Sequence, residues 1–262
     1  MTPGDIIRFA EDRTGHPLNP DEGITFGPRT SELAGVSVAW TVNEATVAQA
    51  AAAGHNCLVH HEALTHPYPG LTCETERHYL SWPTNYSRLA ALARHDMTAI
   101  RLHGSLDELY IYAAFAHQLE LGDPIVEAAS GEYSHKVFGA PVDTFGALVE
   151  HVKRCMGMPA LRTTIIDAER PVQRIGLPWG GLGLFTNVGY MQAIMDLGVD
   201  TFICGETDNY GFRFAAESGI AVIETSHEVS EAAGLRQFAT DLAGSLDVAC
   251  RFIEAPCVWR MS

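Results

Sequence analysis

Apolar residues come along this chain in two alternating rhythms. Short runs rich in β-branched residues, such as VSVAWTV at 36–42, NCLVHH at 56–61 and TAIRLH at 98–103, read as strands. Between them lie stretches with helical spacing, ATVAQAAAAG, which stops at Gly54, and YSRLAALARHD, which follows a Pro-rich loop from PYPG to SWPTN. A short helix, DIIRFAED, opens the chain and leads into a loop through Pro17, Pro20, Gly23, Gly27 and Pro28. The helix DELYIYAAFAHQLEL is signalled by a capping box of Ser105 and Glu108, and its apolar face runs through Leu109, Tyr112, Ala113 and Ala116.

From Gly122 to about Arg174 the pattern predicts a hairpin region, the helix FGALVEHVKRCMG and the strand LRTTIID. Alternation then resumes with QRIGLPWGG, VGYMQAIMDLG, VDTFICGE, FRFAAESG, IAVIETSH and EAAGLRQFATDLAG, strand and helix in turn. Such alternation predicts an α/β fold with mostly parallel sheets covered by helices. A length of 262 residues suits one large domain or two modest ones.

The second run of alternation repeats the first. With Gly54 set over Gly198, AAGHNCLVHHE lies over DLGVDTFICGE, and Glu62 falls opposite Glu206. Further on, each run ends a strand in a histidine, places a carboxylate four positions later and enters a helix: His103 with Asp107, and His227 with Glu231. The expectation is two similar, interleaved α/β halves related by a pseudo-twofold, residues 1–130 with HisHis and HxxxD and residues 131–262 with HxxxE, or one composite domain. Ligands in open α/β sheets bind beyond the carboxyl ends of strands, which is where these residues fall.

Histidine is the residue type that directs the chemistry. Of twelve, four (His55, His60, His61 and His66) crowd into a dozen positions. Neighbours on a strand point to opposite faces, so His60 and His61 suit two ions, about 3.5 to 4 Å apart in a two-metal site, better than one. The expected metal ligands are His60, His61, Asp107, His227 and Glu231, with His103 a ligand, an orienting group for Asp107 or a helix cap. Mixed nitrogen and oxygen donors favour two divalent ions of Zn, Fe or Mn over Mg or Ca. His16, His55, His66, His78, His95, His117, His135 and His151 have no repeated carboxylate partner and read as surface or helix-face residues. The Gly-rich PWGGLGLFTN reads as a tight turn, with an anion cradle as the alternative. No GxSxG is present, and no cysteine stands in a catalytic setting.

Composition narrows the partners. Asp and Glu outnumber Lys and Arg by 32 to 17, a formal charge of −15 that disfavours nucleic acid and anionic lipid. No apolar run approaches the roughly 18 residues of a membrane span, and the first residues lack the pattern of a signal or transit peptide, so a cytoplasmic protein is expected. Six cysteines without a CxxC pair read as reduced, buried thiols.

The HisHis at 60 and 61, the HxxxD at 103–107, ICGE and SHEVSE together resemble the NIF-three-like family of dinuclear-metal proteins, also known as GTP cyclohydrolase I type 2-like, along nearly the whole chain. The resemblance implies two similar α/β halves, a dinuclear site held by the HisHis pair, the Asp, the late His and the late Glu, and a ring-shaped homohexamer. This would be the compact form, without a domain inserted between the halves. The chain departs from the family at Glu62, where Pro usually follows HisHis, at Thr41 to Asn43, where an Asp-Thr pair is usual, and at Asp208 and Tyr210, where a His often stands. These changes lie around the metal positions more than on them, and a distinct substrate is the expectation.

The leading functional expectation is a metal-dependent hydrolase of a small cyclic amide, amidine or related heterocycle, with Glu62 or Glu206 as the catalytic carboxylate that moves the proton. The alternative is a metal-binding regulatory or scaffold protein without catalysis. Closed metal coordination would mark the second, and an open position the first.

Overall fold

The computed structural model describes residues 1–67, 79–130 and 133–259; part of the Pro-rich loop, His78, Cys73 and the turn of the central hairpin lie outside the described residues. The chain forms two compact units, Met1–Tyr110 with Gly234–Ala255, and Ile111–Ala233 with Pro256–Ser262.

The first unit opens with helix α1 (Pro3–Thr14) and the edge strand β1 (Gly23–Phe26). It continues through β2 (Val36–Ala39), α2 (Glu44–Ala52), β3 (Cys57–His60), α3 (Pro83–Arg94), β4 (Thr98–Arg101) and the single turn α4 (Gly104–Leu106). A π turn, Asp107–Ile111, carries the chain into the second unit. There it forms α5 (Tyr112–Gln118), the antiparallel pair β5 (Pro124–Ser130) and β6 (Tyr133–Gly139), α6 (Phe145–Met156), and the short β7 (Arg162–Thr163). It goes on through β8 (Arg174–Gly176), α7 (Val188–Met195), β9 (Thr201–Cys204), α8 (Asn209–Glu217) and β10 (Ala221–Glu224). Helix α9 (His227–Ser245) begins in the second unit, and its later residues belong to the first, as does the final strand β11 (Cys250–Ile253).

Among the described residues the first unit holds a five-stranded sheet in the order β1-β4-β3-β2-β11, parallel except for β1. The second holds a six-stranded sheet, β5-β6-β8-β9-β10-β7, parallel over β8, β9 and β10. The expected α/β class is what forms. Every residue of β2, β3 and β4 is buried, as is every residue of β9 and β10, because helices cover both faces of a parallel sheet. Leu58 and Ala99 pack against Val47, Ala50, Ala91 and Leu92 of α2 and α3, so the apolar stripes read from the sequence form the core.

The repeated plan is visible within each unit. Strand, helix, strand, helix, strand runs from β2 to β4 and again from β8 to β10, and the second strand lies in the middle both times. Gly54 and Gly198 end the helix before it in the left-handed region, with φ of 75° and 82°. Ala39, His60 and Arg101 are level in the register, so β2, β3 and β4 finish flush and the residues after them emerge side by side.

Several elements differ from the sequence pattern. The loop over 17–28 contains β1, four partly exposed residues with a bulge that leave no alternating pattern to read. Strand β11 is short as well and was not anticipated. The strand expected at 161–167 shrinks to Arg162–Thr163, and Ile165 is wholly exposed. The helix after β4 is not capped by a Ser105–Glu108 box. His103 is its N-cap, the Ser105 N–H and hydroxyl both donate to the Glu22 carboxylate, and Glu108 pairs with His16 at 3.0 Å. Of the cysteines, Cys57 and Cys204 are buried, whereas Cys155 and Cys250 are half-buried and Cys257 is exposed. Among the described residues no helix is long and apolar enough to cross a membrane.

One buried acid at the end of β10 gives the fold a pH dependence. Burial pushes the Glu224 carboxyl up to about 7 from 4.5, against the opposing pull of Arg162 at 2.8 Å. The unfolded chain ionises first, so Glu224 adds its stability below about 4.5 and loses it as pH rises through about 7. Thermal unfolding of wild type and Glu224→Gln across that range should show the wild type losing stability relative to the variant as pH rises; parallel curves would refute it.

Candidate functional site

In the first unit, the residues just past the flush ends of β3 and β4 form an acceptor-rich cluster. One ligand atom each from His61, His103 and Asp107 lies within 4.8 Å of the other two. His61 is fully buried. Its Nδ1 lies 3.1 Å from the Leu102 carbonyl, so that nitrogen carries the proton and donates, and Nε2 faces Asp107 Oδ1 at 3.9 Å. The His103 ring lies beside it, with ring centroids 4.8 Å apart.

His103 is oriented by a carboxylate. Its Nδ1 is 3.3 Å from Asp21 Oδ2, and the same carboxylate accepts from Arg101 at 2.8 Å. Bonding to His103 is the first cause that holds the Asp21 carboxyl below its ordinary value, with Arg101 adding to it. Neighbouring Glu22 accepts from the backbone N–H of His103 and Ser105 and so fixes the start of α4. Asp21 and Glu22 were missed because they stand in a PDEG turn about eighty positions away, with no spacing that links them to His103.

His60 is buried beside this cluster in sequence but does not join it. Its Nδ1 donates to the Glu62 carbonyl at 2.7 Å, and its Nε2 meets the Thr25 hydroxyl of β1 at 2.8 Å. Burial pulls its imidazole down to about 4, so the ring is neutral and Nε2 accepts from Thr25. Glu62 is half-buried directly after His61.

The second unit builds a similar arrangement at the start of α9. His227 stands between two carboxylates, with Nδ1 3.1 Å from Glu206 Oε2 and Nε2 3.2 Å from Glu231 Oε1. Its spacing to Glu231 is the i,i+4 step of one helical turn. Ser226, just before it, is held at φ 107°, a conformation L side chains rarely adopt. Each unit thus pairs a histidine through Nδ1 with a carboxylate, Asp21 or Glu206, the geometry in which a metal-binding imidazole is oriented.

The Gly-rich segment is the tight turn, and it lies against this cluster. A Cβ at Gly180, whose φ is 50°, would fall 2.1 Å from Glu231 Oε1, and one at Gly181 would fall 3.2 Å from His227 Cε1. The Gly180 N–H donates to Ser230 Oγ, and its carbonyl accepts from the Glu206 N–H, which ties the turn to both neighbours. Two of the positions that depart from the family pattern serve the backbone. Asn43 caps α2 and Asp208 caps α8, each accepting from the N–H three residues on.

The donors suit a divalent transition ion. Both clusters mix imidazole with carboxylate, and Asp107 and Glu231 are buried acids that a cation would neutralise. With no Cβ at Gly180, the Glu231 carboxylate keeps its place against the turn.

Comparison with known proteins converges on one family. The family model for Duf34/NIF3 (NGG1p interacting factor 3) matches residues 19–256. The chain is 29% identical over 174 residues to a protein of Neisseria meningitidis serogroup B named "GTP cyclohydrolase 1 type 2 homolog". That match takes in 64% of this chain and 66% of the relative, slightly under two thirds of its length. Among solved structures, Staphylococcus aureus protein SA1388 aligns over 100% of this chain and 99% of its own with a TM-score of 0.76 at 14% identity. A Bacillus cereus protein related to NIF3 aligns over 98% and 97% with a TM-score of 0.75 at 12% identity, and at such identities both likenesses concern the fold.

Substituting Gly180→Ala should lower divalent-metal affinity by about 10- to 100-fold, the usual effect of disturbing a group around a ligand, with the circular dichroism spectrum retained. Calorimetric titration with zinc checks this, and unchanged affinity would refute the close fit at Glu231.

Proposed function

The chain belongs to the Duf34/NIF3 family, and from that premise we propose that it binds two divalent ions, of zinc, iron or manganese, and hydrolyses a C–N bond in a small cyclic amide, amidine or related heterocycle. The observation that carries this reading is the histidine, in each unit, that a carboxylate orients through Nδ1 next to a buried ligand carboxylate. The relatives' name, GTP cyclohydrolase 1 type 2 homolog, supports a heterocyclic substrate.

The ligands assigned are His61, His103 and Asp107 in the first unit and His227 and Glu231 in the second, with His60 added where its Nε2 exchanges Thr25 for an ion. Bound there, the ions would supply Lewis-acid polarisation and would lower the pKa of water. The side chains supply the rest. Asp21 and Glu206 hold the protons at Nδ1 of His103 and His227 and so direct each Nε2 to its task. Glu206 is the better placed proton carrier, because its side chain is 46% exposed while bonded to His227. Glu62, half-buried beside His61, is the second candidate. Burial of His61, Asp107 and Glu231 keeps bulk water from the ligand groups.

Chelation, His61→Ala or Glu231→Gln should each abolish turnover of the responsive compound in a panel of cyclic amides and purine nucleotides, and Glu206→Gln should lower kcat by about 10²- to 10⁴-fold even at saturating metal. Tight metal binding with no turnover of any compound would instead favour a regulatory or scaffold role. The proposed homohexamer should give a light-scattering mass of six times 28.4 kDa, and a monomer mass would refute it.

A further inference from the structure

Helix α6 carries a second kind of ligand set, separate in sequence from the clusters around His61 and His227. His151 and Cys155 stand one helical turn apart on the same face. Glu120, just past the end of α5, has φ 55°, and its carboxylate meets them. One ligand atom from each of the three lies within 4.8 Å of the other two. We propose that Glu120, His151 and Cys155 form a zinc site that fastens the end of α5 to α6.

The imidazole is prepared for such a role. His151 is buried, and its Nε2–H donates to the Leu119 carbonyl at 2.7 Å. That bond fixes the tautomer and leaves Nδ1 as an acceptor, 4.0 Å from Glu120 Oε2. Cys155 Sγ touches the same ring, 3.5 Å from Nε2. A cation already occupies the point where the ligands converge. The Arg154 guanidinium donates to Glu120 at 2.8 Å and to His151 Nδ1 at 3.0 Å, yet its side chain is 62% exposed and can leave for solvent. Zinc would replace one cation with another.

Burial and the nearby Glu120 push the Cys155 thiol up, so the ligand is made only as the ion arrives. The zinc–sulfur bond forms, the S–H bond breaks, and one proton passes to solvent. Thiolate, imidazole and carboxylate are the donors zinc accepts, whereas Mg and Ca prefer all-oxygen shells. Three protein ligands leave the fourth position to water.

Cobalt(II) tests this on the full chain, because thiolate ligation gives a near-ultraviolet charge-transfer absorption that a histidine and carboxylate site cannot. Titration should raise this band in wild type and in Asp107→Asn with Glu231→Gln, which lack ligands of the other clusters. It should be absent in Cys155→Ser. Glu120→Gly, a substitution suited to a positive φ, should weaken cobalt binding while preserving the circular dichroism spectrum. Arg154→Gln should tighten it by roughly fivefold, about one hydrogen bond's worth of competition removed. No band in wild type, or a band undiminished in Cys155→Ser, would overturn the proposal.

Discussion

A carboxylate taken out of water must have its charge answered nearby, and Asp107 and Glu231 are both nearly closed to solvent. Much of the local structure around them follows from that demand. Histidines are brought within reach, other carboxylates bond to histidines of each cluster, and a glycine turn gives up side chains where Glu231 sits. None of this improves a hydrophobic core. A buried leucine at either position would satisfy packing with less constraint on its neighbours, so packing does not account for the arrangement, whose donors could hold a cation.

The parallel sheets make that arrangement possible twice. In a βαβ succession every strand points the same way, so residues that follow different strands gather at one end. The level register of Ala39, His60 and Arg101 brings His61 and His103 side by side, although they are far apart in the sequence. In the second unit Cys204 is level with Glu224, and the residues beyond them, Glu206 and His227, meet in the same way. The duplicated order of strands and helices therefore explains why a histidine with a carboxylate partner recurs after the third strand of each run.

Legibility in the sequence divided along the line between local and distant interactions. The fold class was readable because it rests on period and breaker residues, which are local. His227 with Glu231 was readable for the same reason, since an i,i+4 pair on a helix is a neighbour by construction. Ser105 with Glu108 had the right spacing for a capping box, but a carboxylate from the distant PDEG turn took that task, and spacing cannot report such competition. His60 shows the same limit: Thr25 lies on a short, bulged edge strand that gave no pattern, and it decides what one of the two adjacent histidine rings does.

The glycines of PWGGLG answer to the same buried carboxylate, Glu231. Read alone, a Gly-rich turn has two physical uses, to bend the chain or to offer bare N–H groups to an anion. Here the Gly180 N–H is spent on Ser230 and the missing Cβ is what matters, because Glu231 Oε1 occupies the space. A carboxylate that close to the turn makes it a poor seat for an anion and a good wall for a cation site. The turn's sequence therefore follows from Glu231, a residue about fifty positions later, and could not have been interpreted without it.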